Sequence, residues 1–203
     1  VSASLLENGV SAIVHLGDDE IVIQPASDFG IDGPAGRHII YRSSRSFAEG
    51  QCGNGRFDLP KNEPEFELPG AGAGDPLGGG VAGTGLNLID LSIECDYEFF
   101  QRNSSSVVAT LNDVELIINN CETIYRRDVG IAHDINTVII RADSNDPYTS
   151  NTIDGRLDQF RANWQNSPEN DILRDTAQMF SGVNFSGGTI GLAWLGSICG
   201  TFG

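Results

Sequence analysis

The stretches LRDTAQMFSG (Leu173–Gly182) and GGTIGLAWLGSIC (Gly187–Cys199) decide how this 203-residue chain is read. AQMFSG and TIGLAWL are short apolar runs bounded by Gly, Ser and Asp, the sequence form of two β-strands. Gly191 and Ala193 make the second run a strand whose edge stays accessible to another chain. Upstream, LIDLSIECDYEFFQ (Leu88–Gln101) is rich in β-branched and aromatic residues and predicts a central strand. Asn103 to Ser106 offer N-cap side chains, and Val107, Leu111, Val114, Ile118, Cys121 and Tyr125 recur at three- and four-residue spacing, predicting a helix that ends at Arg126 and Arg127. HDINTVIIRA (His133–Ala142) is a further strand. A second helix runs from Ile153 to Gln165 with Leu157, Phe160 and Trp164 on one face. Strand, helix, strand, helix, strand in this order predicts an α/β sheet joined by crossover connections.

The first part of the chain differs. VSAIVHLGDDEIVIQ (Val10–Gln24) has two apolar runs around a Gly-Asp-Asp turn and reads as a β-hairpin, and RHIIYR (Arg37–Arg42) adds a strand. Residues 1–69 therefore form a small β-rich unit. It has too few large apolar residues for a strong core of its own and leans on the second unit. PGAGAGDPLGGGVAGTG (Pro69–Gly85) has a flexible linker's composition and places the linker at residues 70–86, with the second unit at 87–203.

Composition excludes several functions. The chain has 28 Asp and Glu against 12 Lys and Arg, a net charge of -16, and this field repels phosphate backbones; nucleic acid and anionic membrane surfaces are not partners. No apolar run reaches the roughly 20 residues that cross a bilayer. The four cysteines, Cys52, Cys95, Cys121 and Cys199, form no CxxC pair and have no His at finger-like spacing. Cys95 in a strand and Cys121 in the following helix are candidates either for a bridge pinning helix to sheet or for two separate thiols. The sequons at Asn103 and Asn184 fit a secreted, extracellular protein and make both residues glycosylation candidates. His15, His38 and His133 are far apart, without Glu at HExxH spacing. Residues 143–154 resemble a calcium loop, but Pro147 and Tyr148 stand where an EF-hand needs a ligand and a Gly. GxSxG and P-loop motifs are absent, and the linker's GxG pairs follow no strand.

IDLSIECDYEFF, the helix ending in IYRRDVG, the strand before DPYT, RDTAQMFSG and GTIGLAWLGSIC together resemble, in order and spacing, the catalytic domain of reprolysin-like (adamalysin-type) metzincin proteases. The resemblance covers roughly Leu88 to Gly203. It implies the upper subdomain of that fold, a twisted mixed sheet with flanking helices, preceded by a small β-rich pro-segment. It implies that TIGLAWL is the antiparallel edge strand above the cleft, to which an extended protein or peptide substrate adds through the backbone of Gly191, Leu192 and Ala193. QCGNG (Gln51–Gly55) resembles the inhibitory cysteine switch of such pro-segments, in which the thiolate of Cys52 would take the zinc's fourth position. The plain alternatives are a turn cysteine or a bridge to Cys199. Asp90 and Asp175 match two ligands of a calcium site whose remaining ligands come from elsewhere.

The family's zinc helix HExxH does not occur in the chain, so zinc ligands and general base are expected from sequence beyond Gly203, in a continuation or a separate catalytic half. The leading expectation is a secreted zinc metalloendopeptidase, inactive as this chain alone. The alternative is a non-catalytic extracellular assembly or binding module that self-associates through the exposed edge strand.

Overall fold

The computed structural model describes residues 1–17, 19–34, 36–46, 51–52, 86–186 and 188–194, with the backbone alone at 51–52. The glycine-rich stretch from Gly70 to Gly85 and Cys199 lie outside the described residues.

Four antiparallel strands open the chain: β1 (Ser2–Leu6), β2 (Gly9–Leu16), β3 (Asp19–Pro25) and β4 (His38–Arg42), in the order β1-β2-β3-β4. The expected hairpin is β2–β3, closed at Leu16 and Asp19, with Gly17 at a φ of 64° that favours glycine. β1 is an addition to the sequence reading. Its alternation of buried serines with exposed neighbours gives no hydrophobic signal, because Ser2 and Ser4 are buried against a helix rather than in an apolar core. That helix is α2 (Val107–Asp128). Ser2 Oγ donates to the Asn119 carbonyl at 3.1 Å, and Asn119 Nδ2 donates to Ala3 O at 3.1 Å and Ser4 Oγ at 2.8 Å. The β-rich unit does lean on the second one, through small polar contacts.

A parallel sheet, ordered β7-β6-β8, forms the second unit from β6 (Asn87–Cys95), β7 (Ile131–Ile140) and β8 (Thr176–Phe180). α1 (Tyr97–Arg102) and α2 connect β6 to β7, and α3 (Ile153–Trp164) connects β7 to β8. The alternation along β6 sorts its side chains between two cores. Leu91, Ile93 and Cys95 pack with Val114 and Ile118 of α2. On α3's side, Phe160 and Trp164 pack with Tyr148, Ile139, Ala177 and Met179.

Two expectations need correction. The strand expected over Leu88–Gln101 stops at Cys95, because Asp96 Oδ1 accepts the Phe99 N–H at 2.8 Å and caps α1, turning YEFFQR into helix. TIGLAWL, expected as an antiparallel edge of the main sheet, supplies β9 (Thr189–Gly191), which pairs in parallel with β5 (Gln51–Cys52) in a separate two-stranded sheet.

Candidate functional site

The path from β8 to β9 builds the candidate site. Beyond Phe180, the Gly182 N–H donates to Asp96 Oδ1 at 2.9 Å, so one carboxylate oxygen ties the sheet's exit to the start of α1. A Cβ at Gly182 would lie 2.2 Å from the Glu98 carbonyl carbon and 2.3 Å from its oxygen and from Phe99 N, so only glycine passes here. At β9, Thr189 is buried and Ile190 is 74% exposed. Gln51 registers with Thr189 and Cys52 with Gly191. Among the described residues nothing lies within 4 Å of where a Gly191 Cβ would sit. Leu192 is half-buried and Ala193 exposed. Beyond them the Trp194 ring stacks with the Arg161 guanidinium of α3, 5.2 Å from the centroid.

Two buried charge networks tie the elements of the second unit together. Glu94, fully buried in β6, accepts from Arg141 Nε at 2.5 Å and from Trp164 Nε1 at 2.6 Å, while Arg141 Nη2 reaches Glu169 at 2.6 Å. Burial pushes the Glu169 carboxyl up, but the N–H groups and charge of Arg141 outweigh it and hold the group below its ordinary value. Burial also raises the Tyr148 phenol, and the Glu94 charge adds to that. In the second network Arg156, 1% exposed, donates to Ser150 O at 3.0 Å and sits 3.3 Å from Asp96 and 3.4 Å from Glu98. Burial raises the Asp96 carboxyl, partly offset by its hydrogen bonds and by Arg156. Sequence reading assigned no role to Glu94, Asp96, Arg141, Arg156 or Gly182. The one local signal was the Asp-x-x-Phe spacing of an N-cap at Asp96.

The remaining candidates are dispersed. Asp90 and Asp175 do meet: the Asp90 N–H donates to Asp175 Oδ2 at 2.9 Å and the Asp175 N–H to Asp90 O at 2.9 Å, with both residues exposed. One carboxylate oxygen is thereby committed to the backbone, and these two acids alone are too few for a calcium ion, which takes six to eight oxygens. Cys95 and Cys121 are free thiols, so the bridge considered between them is not formed. α2 returns antiparallel to β6. Cys95 is buried in the core between β6 and α2, and Cys121 is exposed. Burial, reinforced by the neighbouring Asp96 charge, pushes the Cys95 thiol up to about 12. Asn103 is half-buried and its Nδ2 donates to Phe99 O at 3.1 Å and Asp113 Oδ2 at 3.2 Å, whereas Asn184 is exposed.

The histidines do not converge. His15 pairs with Glu20, His38 bridges Gly36 O and the Val10 N–H, and His133 is held by Glu122 at 2.8 Å. Among the described residues no group of three or more His, Cys, Asp or Glu could hold a metal ion. Zinc therefore does not fit any side-chain set described here. No described helix is long and apolar enough to cross a membrane.

The reprolysin model of metallo-peptidase family M12 matches residues 85–202, more than half of the chain, and the chain belongs to that family. The comparison with curated proteins finds no match.

Proposed function

We propose that this chain is the pro-segment and substrate-edge part of a secreted zinc-dependent metalloendopeptidase, and that β9 is where an extended peptide adds. The observation that carries the reading is the pairing of Gln51–Cys52, upstream of the family-matched region, with Thr189–Gly191 inside it. An extended segment of polypeptide already lies on β9, which supports the use of its backbone N–H and C=O groups for peptide recognition. The same pairing supports an inhibitory role for the Cys52 segment, since a substrate that adds to the edge β5 occupies must first displace it.

The division of labour follows from the side chains. The Gly191, Leu192 and Ala193 backbone binds and orients the peptide, while Asp96 and Glu94 tie the exit of β8 and the end of α3 to β6. Zinc would have to be held by residues outside this set, where it would supply the chemistry of an activated water. Asp90 and Asp175 contribute at most two ligands to a structural calcium site. The N-terminal strands, residues 2–42, act as the prodomain, with the boundary in the glycine-rich stretch.

The test uses a polypeptide in which this sequence is joined to a zinc-binding helix. Turnover of a peptide substrate should be low with residues 1–85 attached, rise when they are removed, rise partly in Cys52→Ser, and stop with chelator. Equal, chelator-insensitive turnover in all forms would overturn the reading. Concentration-dependent association without turnover would favour the assembly module.

A further inference from the structure

β9 is three residues long and belongs to a sheet of two strands, an arrangement too small to be stable without tertiary support. That support has to come from beyond the strand pair, and a connected route is visible. Glu94 in β6 accepts the Trp164 indole N–H, which fixes the C-terminal end of α3 to the central strand. Phe160, one turn earlier, packs against Trp164 in the same core, their ring centroids 5.9 Å apart. Arg161, next in the helix, places its guanidinium 5.2 Å from the Trp194 ring centroid. Trp194 lies three residues after Gly191, so the stack fixes the chain just where it leaves the edge strand.

We propose that Arg161 is a positioning residue for the peptide-binding edge: through its stack on Trp194 it holds residues 190–193 in register with α3, and so with the central sheet. This rests on the reading of β9 as the peptide-binding strand. Loss of a half-exposed cation–π stack lowers the population of the held conformation about two- to five-fold.

The chain has two tryptophans, and Trp164 is buried while Trp194 is 40% exposed, so acrylamide quenching of fluorescence reads Trp194. In the full chain, Arg161→Ala should increase quenching and speed amide exchange of residues 190–193 about two- to five-fold, with Arg161→Lys retaining most of the protection. Trp194→Ala should speed the same amides from the other side of the stack. Unchanged exchange in both alanine variants, with folding verified by the buried Trp164 emission, would overturn the proposal. In the polypeptide joined to a zinc-binding helix, Arg161→Ala should raise KM by a similar factor and leave kcat unaltered. Faster exchange with an unaltered KM would leave the positioning of the strand standing and count against peptide binding at β9. A fall in kcat alone would overturn the positioning role.

Discussion

Gly182→Ala is the most informative single substitution in this chain. The added methyl carbon would sit 2.2–2.3 Å from the Glu98 carbonyl and the Phe99 nitrogen, where about 3.5 Å is needed. All three atoms are backbone in the first turn of α1, so no side-chain rotation relieves the contact. Either α1 or the strand exit has to move by roughly 1 Å. Moving either one stretches the Gly182 N–H to Asp96 bond and disturbs the same carboxylate's cap on Phe99. Overpacking of this kind costs about 1–3 kcal/mol, and the weakened bonds add about 1 kcal/mol. A total of about 3 kcal/mol corresponds to a fall in Tm of roughly 6–12 °C for a chain of this size. Gly191→Ala is the matched control, because its Cβ meets nothing within 4 Å; it should melt within about 2 °C of the parent. Thermal melts of the three proteins, followed by far-ultraviolet circular dichroism, decide the matter. If Gly182→Ala melts with the parent, the close approach of β8's exit to α1 is wrong, and with it the path that leads to β9.

Three further outcomes follow from the packing and the charges. Asn119→Ala removes the hydrogen bonds to Ala3 O and Ser4 Oγ, should weaken docking of the N-terminal sheet by about 1–2 kcal/mol, and should be seen as faster amide exchange in β1 with α3 unaffected. The Cys95 thiol, buried and held near 12, should resist a thiol reagent at neutral pH in the folded chain while the exposed Cys121 reacts, with both labelling in denaturant; rapid native labelling at Cys95 would contradict the core assignment. Glu169 has a folded pKa below its unfolded one, so its contribution to stability is present above the ordinary glutamate value and is lost as pH falls through the lowered one. Melts of the parent should therefore lose stability on acidification below roughly pH 4.5, and Glu169→Gln should show a shallower loss.

Much of the second unit can be read directly from its residues. The alternating Leu91, Ile93 and Cys95 mark β6 because each second side chain faces α2, and the three- and four-residue spacing of Val114 and Ile118 marks the facing helix. The Ser106 cap and the closing arginines place the ends of α2. Asp96 shows the limit of such reading. An apolar-aromatic run continues through it, and only the carboxylate's hydrogen bond to the Phe99 N–H decides that the strand ends there. Glu94 and Arg156 look like surface charges in the sequence, since burial of an ion pair depends on partners supplied by distant segments. The pairing of Gln51–Cys52 with β9 joins segments more than 130 residues apart, and neither carries a periodic signal long enough to name its partner. The proximity of Asp90 to Asp175 was accessible only through family resemblance, and the Arg161–Trp194 stack through neither route.

The chain belongs to metallo-peptidase family M12, and the central proposal is that it holds a peptide for a zinc-dependent hydrolysis. The most direct measurement is made on the protein from its natural source: intact mass, zinc content and chelator-sensitive peptide hydrolysis on one sample. The account predicts a species heavier than 21.7 kDa, with about one zinc per chain and turnover that chelator abolishes and zinc restores. A species of 21.7 kDa with neither zinc nor turnover would contradict it.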